Sequence, residues 1–316
     1  MDRVLHNRGR VSQANIEKIQ KIVKDFEYTP NRYAQGLRNK NPMRFGVLIP
    51  ELDSEFGYWK QVKEGIEEAK IELSSFNIEV VYGFFDRNSN NTFGMAVSKL
   101  MESGLTALIV APLLPDCFVD LRARYPEIPF VVIDSPLPDI NPLADFAQDP
   151  YKAGKTAARM MQLMVPNAQR MFIYGNRGVA LNERIRAESF TEEYAEISVS
   201  PLVFNDADEL VSIIEHSIPC GVFVVNDSSH VIAEKLHSKN IDNCQIIGFD
   251  LHQNNKICLE KGYLDVIIGQ MPRRQAYEAL MFLVRYFILE LKERERFSAP
   301  VEIYIKENLP KDTYWS

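Results

Sequence analysis

The segment Pro50-Glu51-Leu52-Asp53-Ser54-Glu55-Phe56-Gly57-Tyr58-Trp59 sets acidic groups beside aromatic rings directly after an apolar strand. Carboxylates accept hydrogen bonds from hydroxyls, and aromatic faces cover the C–H faces of sugars. Phe56, Tyr58 and Trp59 are therefore candidate contacts for a polyol, with simple packing of the helix start as the alternative for Phe56 and Trp59. Polar residues follow other predicted strands in the same way: Asp134, Asn226 with Asp227, Asp250 and Gln270. Any of these could instead cap a helix, Asp227 above all. Arg184 and Arg186 lie in a helical stretch, and a guanidinium offers a fork of donors suited to hydroxyls or a carboxylate. The alternative for Arg186 is an ordinary surface arginine.

Catalytic signatures are missing. Ala153-Gly154-Lys155-Thr156 ends like a phosphate-binding loop, but the position that needs the first glycine is Asp149, so it reads as a helix start. The sequence has no GxGxxG, GxSxG or HExxH. His6, His216, His230, His237 and His252 show no ligand spacing and read as surface or capping residues. Cys117, Cys220, Cys244 and Cys258 lie far apart with no CxxC pair, which reads as reduced, mostly buried thiols of a cytosolic protein. No enzymatic activity, metal or cofactor is expected.

The elements that must position these residues alternate. Apolar strands are predicted at 45–49, 79–82, 107–110 and 130–133, then at 171–174, 199–203, 221–225, 245–248 and 266–269. Amphipathic helices separate them, at 58–74, 91–102 and 116–125, then 151–164, 182–195, 207–217, 229–238 and 253–261. Apolar strands alternating with helices imply parallel sheets buried on both faces, and two series imply two lobes. A late helix, 272–291, and a strand, 301–305, follow the second series, so the chain is expected to cross back to the first lobe and return. The longest apolar run, Ala279 to Leu291, is broken by Arg285 and falls short of the ~20 residues that span a bilayer. No export signal is visible, so a cytoplasmic protein is expected.

Charge is divided unevenly. The first 44 residues carry a net +6, whereas the whole chain sums to −7. A basic head on an acidic body suits a polyanion-binding module attached to a domain with another task. A helix is predicted over 12–27, with Ser12 as N-cap and Ile16, Ile19, Val23 and Phe26 on one face. The head reads Asp2-Arg3-Val4-Leu5-His6-Asn7-Arg8-Gly9-Arg10-Val11-Ser12 and later Tyr28-Thr29-Pro30-Asn31-Arg32-Tyr33-Ala34-Gln35-Gly36-Leu37. These two strings, at this spacing, resemble the lactose-repressor (LacI/GalR) family of transcriptional regulators.

The resemblance implies an α/β fold: two doubly wound parallel-sheet lobes, periplasmic-binding-protein-like, with a small, incomplete all-α DNA-binding headpiece and a hinge helix. The implied domains are 1–43 for headpiece and hinge, 44–148 plus about 275–299 for the first lobe, and 149–274 plus about 300–316 for the second. Residues 2–7 correspond to the end of the recognition helix, so Arg3, His6, Asn7 and Arg10 would touch bases or phosphates in the major groove. Asn31 to Leu37 would be the hinge helix, with Leu37 the wedge in the minor groove, Ala34 allowing close approach, and Arg32 and Arg38 on phosphates. The resemblance starts inside the recognition helix. The expectation is a headpiece truncated by a late start assignment, because the family commonly has Val at the position of Met1 and a GTG codon read as a start gives Met. Within the body, the resemblance assigns ligand contact to Asp134, Arg186, Asn226, Asp250 and Gln270. It implies a cleft-bound small molecule, most simply a sugar, a homodimer, and operator DNA as partner. Ligands in such sheets sit outside the carboxyl ends of strands, which selects the same positions.

Overall fold

A computed structural model describes residues 4, 11–25, 42–52, 57–137, 141–168, 170–175, 180–195, 200–291, 293 and 295–310. The headpiece and hinge positions Arg3, His6, Asn7, Arg10, Asn31, Arg32, Ala34, Leu37 and Arg38, and also Phe56, lie outside the described residues. Helix α1 (Gln13–Asp25) falls within the helix expected over 12–27. Ile16, Ile19 and Val23 form its one half-buried face, and it buries no residue fully.

The first lobe is built from β1 (Met43–Pro50), α2 (Tyr58–Glu72), β2 (Ile78–Phe85), α3 (Asn90–Glu102), β3 (Ala107–Val110), α4 (Pro115–Arg124), β4 (Phe130–Ile133) and β5 (Ala144–Gln148). The second uses α5 (Pro150–Met164), β6 (Arg170–Tyr174), α6 (Leu181–Ala195), β7 (Leu202–Phe204), α7 (Ala207–Ile214), β8 (Cys220–Val224), α8 (Ser229–Ser238), β9 (Cys244–Phe249), α9 (Gln253–Lys261) and β10 (Val266–Gly269). Helix α10 (Pro272–Phe287) and strand β11 (Glu295–Ala299) then return to the first lobe, and β12 (Glu302–Tyr304) joins the second.

The sheet orders are β2-β1-β3-β4-β5-β11 and β7-β6-β8-β9-β10-β12. Each begins with the 2-1-3-4-5 arrangement of a doubly wound sheet. All neighbours are parallel except β12, which runs antiparallel to β10. Alternate side chains face opposite layers, as the period of a strand requires. Val47, Ile109 and Val131 pack under α2 and α10, whereas Leu48, Leu108 and Val132 pack under α3 and α4. In the second lobe Ile173, Phe223 and Ile247 face α5 and α6, and Phe172, Val222 and Ile246 face α7, α8 and α9.

Close approach of helices is fixed by two glycines. A Cβ on Gly65 of α2 would lie 2.0 Å from the Arg273 carbonyl oxygen of α10. One on Gly154 of α5 would lie 2.4 Å from the Arg186 carbonyl oxygen of α6. Gly154 therefore serves helix packing, and Asp149 caps α5 by accepting from the Tyr151 and Lys152 amides.

Several expectations are corrected. The edge strand β11 and the inner strand β5 carry no strand signal strong enough to be foreseen: Ala-Asp-Phe-Ala-Gln and Glu-Arg-Phe-Ser-Ala mix small and charged residues. They are held by parallel pairing with each other and, for β5, with β4. The phosphate-loop-like fragment lies in the first two turns of the helix that follows β5. Strand β7 begins at Leu202, after Pro201, because proline has no amide for the ladder. Helix α10 stops at Phe287 and α7 at Ile214. His252 is buried, and its ring packs edge-on to His230 at 5.3 Å. The cysteines are free, Cys117 only half-buried. Among the described residues no helix is long and apolar enough to cross a membrane.

Candidate functional site

The chain passes between lobes at 148–150, 269–272 and 299–302. Gln148 ties these crossings together, donating from its amide to the Gly269 carbonyl and the Pro300 carbonyl at 2.8 Å each. The carboxyl ends of both sheets face one another at this hinge. Trp59 after β1, Arg87 after β2, Leu113 after β3 and Asp134 after β4 project from the first lobe. Asn182, Glu183 and Arg186 from the start of α6, Asn226 and Asp227 after β8, Asp250 after β9 and Gln270 after β10 project from the second.

Asp134 and Asp250 hold equivalent places. Each directly follows the fourth strand of its lobe, and each has left-handed backbone, φ +67° and +68°. Each donates its amide to the neighbouring strand, Asp134 to the Phe146 carbonyl at 3.3 Å and Asp250 to the Ile268 carbonyl at 2.9 Å. Positive φ is costly for most L-residues and tolerated by Asp and Asn, so the turn itself favours an Asx residue here. The turn aims both carboxylates into the cleft. Asp134 accepts from the Tyr58 hydroxyl at 2.6 Å and from the Asn182 amide, across the cleft, at 3.2 Å. Asp250 accepts from the Gln270 amide at 2.8 Å.

Arg186 is almost fully buried and lies over the Phe249 ring at 3.9 Å. It donates to the Val225 carbonyl at 3.0 Å and to Gln270 Oε1 at 2.9 Å, while its Nε has no partner. Gln275 of α10 joins the halves from behind: its Oε1 accepts from the Asp134 amide at 3.0 Å and its Nε2 donates to the Gln270 carbonyl at 2.6 Å. Arg87 reaches from the first lobe to Glu183 at 3.4 Å and to Asp227 at 3.8 Å. Asn226 is held by Ser228 and donates to Glu183 at 3.5 Å.

Burial governs the charges. Loss of water pushes the Glu183 and Asp250 carboxyls up to about 7, against the opposing pull of Arg87 on the first and Arg186 on the second. Asp134 is also raised by burial, with the Tyr58 hydrogen bond opposing. Tyr58 titrates well above its ordinary value, chiefly through burial and then through the charge of Asp134. The space enclosed among these side chains is about 30 Å³. That is room for a water or two, far below the ~300–1,000 Å³ typical of small-molecule sites. A sugar-sized solute enters only if the lobes part.

The structure brings Trp59, Asp134, Arg186, Asn226, Asp250 and Gln270 to one cavity. Tyr58 stands one layer back, which corrects its expected ligand-facing place: it is buried, packs edge-on to Trp59 at 4.8 Å and spends its hydroxyl on Asp134. Neither Asp134 nor Asp227 caps a helix through its side chain. Arg184 is exposed beside Glu188. Sequence reasoning missed Arg87, Leu113, Asn182, Glu183 and Gln275. Arg87 lies just past β2, so the strand-end rule reaches it once that strand extends to Phe85. Leu113 and Gln275 carry no chemical signal in the sequence.

Two hinged, doubly wound lobes with a polar cleft at their carboxyl edges define a periplasmic-binding-protein-like molecule. The profile of the periplasmic binding protein domain matches residues 45–290, and the chain belongs to that family, with relatives that are LacI-type regulators. It is 23% identical over 267 residues to the HTH-type transcriptional regulator DegA of Bacillus subtilis, covering 79% of this chain and 77% of that protein. It is 22% identical over 262 residues to the sucrose operon repressor of Streptococcus mutans, with the same coverage. A crystal structure from Bacteroides fragilis, assigned as a LacI transcriptional regulator, superposes with a TM-score of 0.78 at 26% identity, covering 85% of this chain and 98% of that one.

Proposed function

We propose that this chain is a ligand-responsive transcriptional regulator of the cytoplasm that senses a sugar or sugar derivative between its lobes. The observation that carries the reading is the convergence of Trp59, Asp134, Arg186, Asn226, Asp250 and Gln270, from separate strand ends of both lobes, on one cavity. An aromatic face with a ring of hydrogen-bonding groups suits a polyol, and one relative is named as a sucrose operon repressor. In this reading residues 44–148 with about 275–299 form one lobe and residues 149–274 with about 300–316 the other, while residues 1–43 serve operator DNA. Two copies pair to match a palindromic site. Ligand shifts the balance between open and closed lobes by its differential affinity for the two, and the pair of hinge segments reads that shift.

A thermal-shift screen of sugars and purines tests the sensor, because a ligand that binds only the folded chain raises its melting temperature. The expected result is a specific sugar that stabilises the protein; a purine alone doing so overturns the sugar assignment. Gel shifts with genomic fragments test the DNA role. Sugar binding without any operator binding would leave a sugar-binding module in its place.

A further inference from the structure

The charges around the cavity do not balance. Asp134, Glu183, Asp227 and Asp250 face Arg87 and Arg186. Arg87 is engaged by Glu183 and Asp227. Arg186 gives its terminal nitrogens to neutral acceptors, the Val225 carbonyl and Gln270. The two equivalent carboxyls take hydrogen bonds from neutral donors, Tyr58 and Asn182 for Asp134 and Gln270 for Asp250, and Arg186 acts on both only through space. No lysine or arginine forms an ion pair with either among the described residues, although both are more than nine-tenths buried.

We infer that the effector is a polyol bearing an amine, an amino sugar, and that its acidic counterparts are rejected. The inference rests on the sugar-sensing reading above and narrows it. Hydroxyl donors satisfy the lone pairs of a buried carboxylate but leave its charge uncompensated; an ammonium does both. Attraction between opposite charges is several times stronger in such an enclosure than in water. A phosphate or uronate would add negative charge to a cavity in which four carboxyl groups already face two arginines; Arg87 is engaged by Glu183 and Asp227, and Arg186 keeps only its Nε unpaired. The carboxylate pair also reaches the solute from opposite sides, one from each lobe, so an ammonium held between them favours the closed arrangement over the open one.

Calorimetric titration of the full chain with matched series tests this: D-glucose, D-glucosamine and D-glucose 6-phosphate, then D-galactose, D-galactosamine and D-galactose 6-phosphate. In the series that binds, the amino member is expected to bind about tenfold or more tightly than the neutral one, and the phosphorylated member about tenfold or more weakly. Asp250→Asn and Asp134→Asn keep an Asx residue at the left-handed turn, and each is expected to narrow the gap between amino and neutral members. A phosphorylated or neutral member that binds tightest, or amino and neutral members that bind equally, overturns the inference while leaving the sugar reading in place. If no member of any sugar series binds, both fall together. Unchanged amino-over-neutral selectivity in both folded Asn variants also overturns the inference.

Discussion

Asp134 and Asp250 occupy the same place in the two lobes, with the same side chain and the same left-handed backbone, yet they are set differently. On the first lobe the carboxylate is held by Tyr58 from α2 and by Asn182 from across the cleft. On the second, Asp250 belongs to a connected set in which Arg186 lies on Phe249 and bonds Gln270, and Gln270 bonds Asp250. The second lobe thus carries an internally bonded polar surface. The first supplies Trp59, Leu113, Arg87 and one carboxylate, and several of its polar groups find their partners on the opposite lobe. An equivalent fold position fixes where a side chain points; the neighbours decide what it can do there. In the proposed reading, affinity resides mostly in the second lobe and closure mostly in the first.

Arg186→Leu should break this comparison most severely. It removes the cation whose charge opposes the burial of the Asp250 carboxyl and leaves the Val225 carbonyl and Gln270 Oε1 without their donor. Effector binding should be lost, and urea denaturation should show a loss of about 3 kcal/mol. Retained binding would show that the second lobe is not the recognition surface. Gly154→Ala should come next. The new methyl meets the backbone carbonyl of Arg186, so α6 must shift, at a cost of about 1–3 kcal/mol in the melting curve and a loss of affinity with no cleft side chain changed.

The raised carboxyls predict a pH signature. Glu183 and Asp250 titrate near 7 in the folded chain and near 4 when unfolded, so the folded state binds more protons between those values. Stability from this source is present below about pH 4 and is lost as pH rises towards about 7. Melting temperatures across that window should show this downward component, and Asp250→Asn should reduce it, leaving the share that Glu183 supplies; an equal slope in the variant would reject Asp250 as a source. Arg87→Ala should have the smallest effect. Arg87 and Asp227 are partly exposed, and the buried Glu183, its carboxyl already pushed up to about 7, can take up a proton when the cation is removed, so the loss should be about 1 kcal/mol or less. Solution scattering of that variant should report wider-set lobes, whereas its affinity should fall less than that of Arg186→Leu.

Much of the body was legible in the sequence. Phe45 to Ile49 or Phe130 to Ile133 can only be strands buried on both faces, and their alternation with amphipathic helices implies two doubly wound lobes. The rule that ligands lie beyond strand ends then picked Asp134, Asn226, Asp250 and Gln270 from a chain rich in such residues. The head was legible in its own way, as short strings at a family's spacing, but its positions fall outside the described residues.

Tertiary structure alone decided the rest. That β5 and β11 are strands depends on the neighbours they pair with, because their residues have no strong preference of their own. Tyr58 and Trp59 are adjacent aromatics, and only packing separates the ring that lines the cavity from the one that braces a carboxylate. Arg87 and Glu183 lie 3.4 Å apart although 96 residues separate them, a contact created by the hinge. Local pattern fixes which elements form and which of their ends are polar. Which of those ends meet, and whether their charges balance, is set by contacts between residues far apart in the chain, which no local window contains.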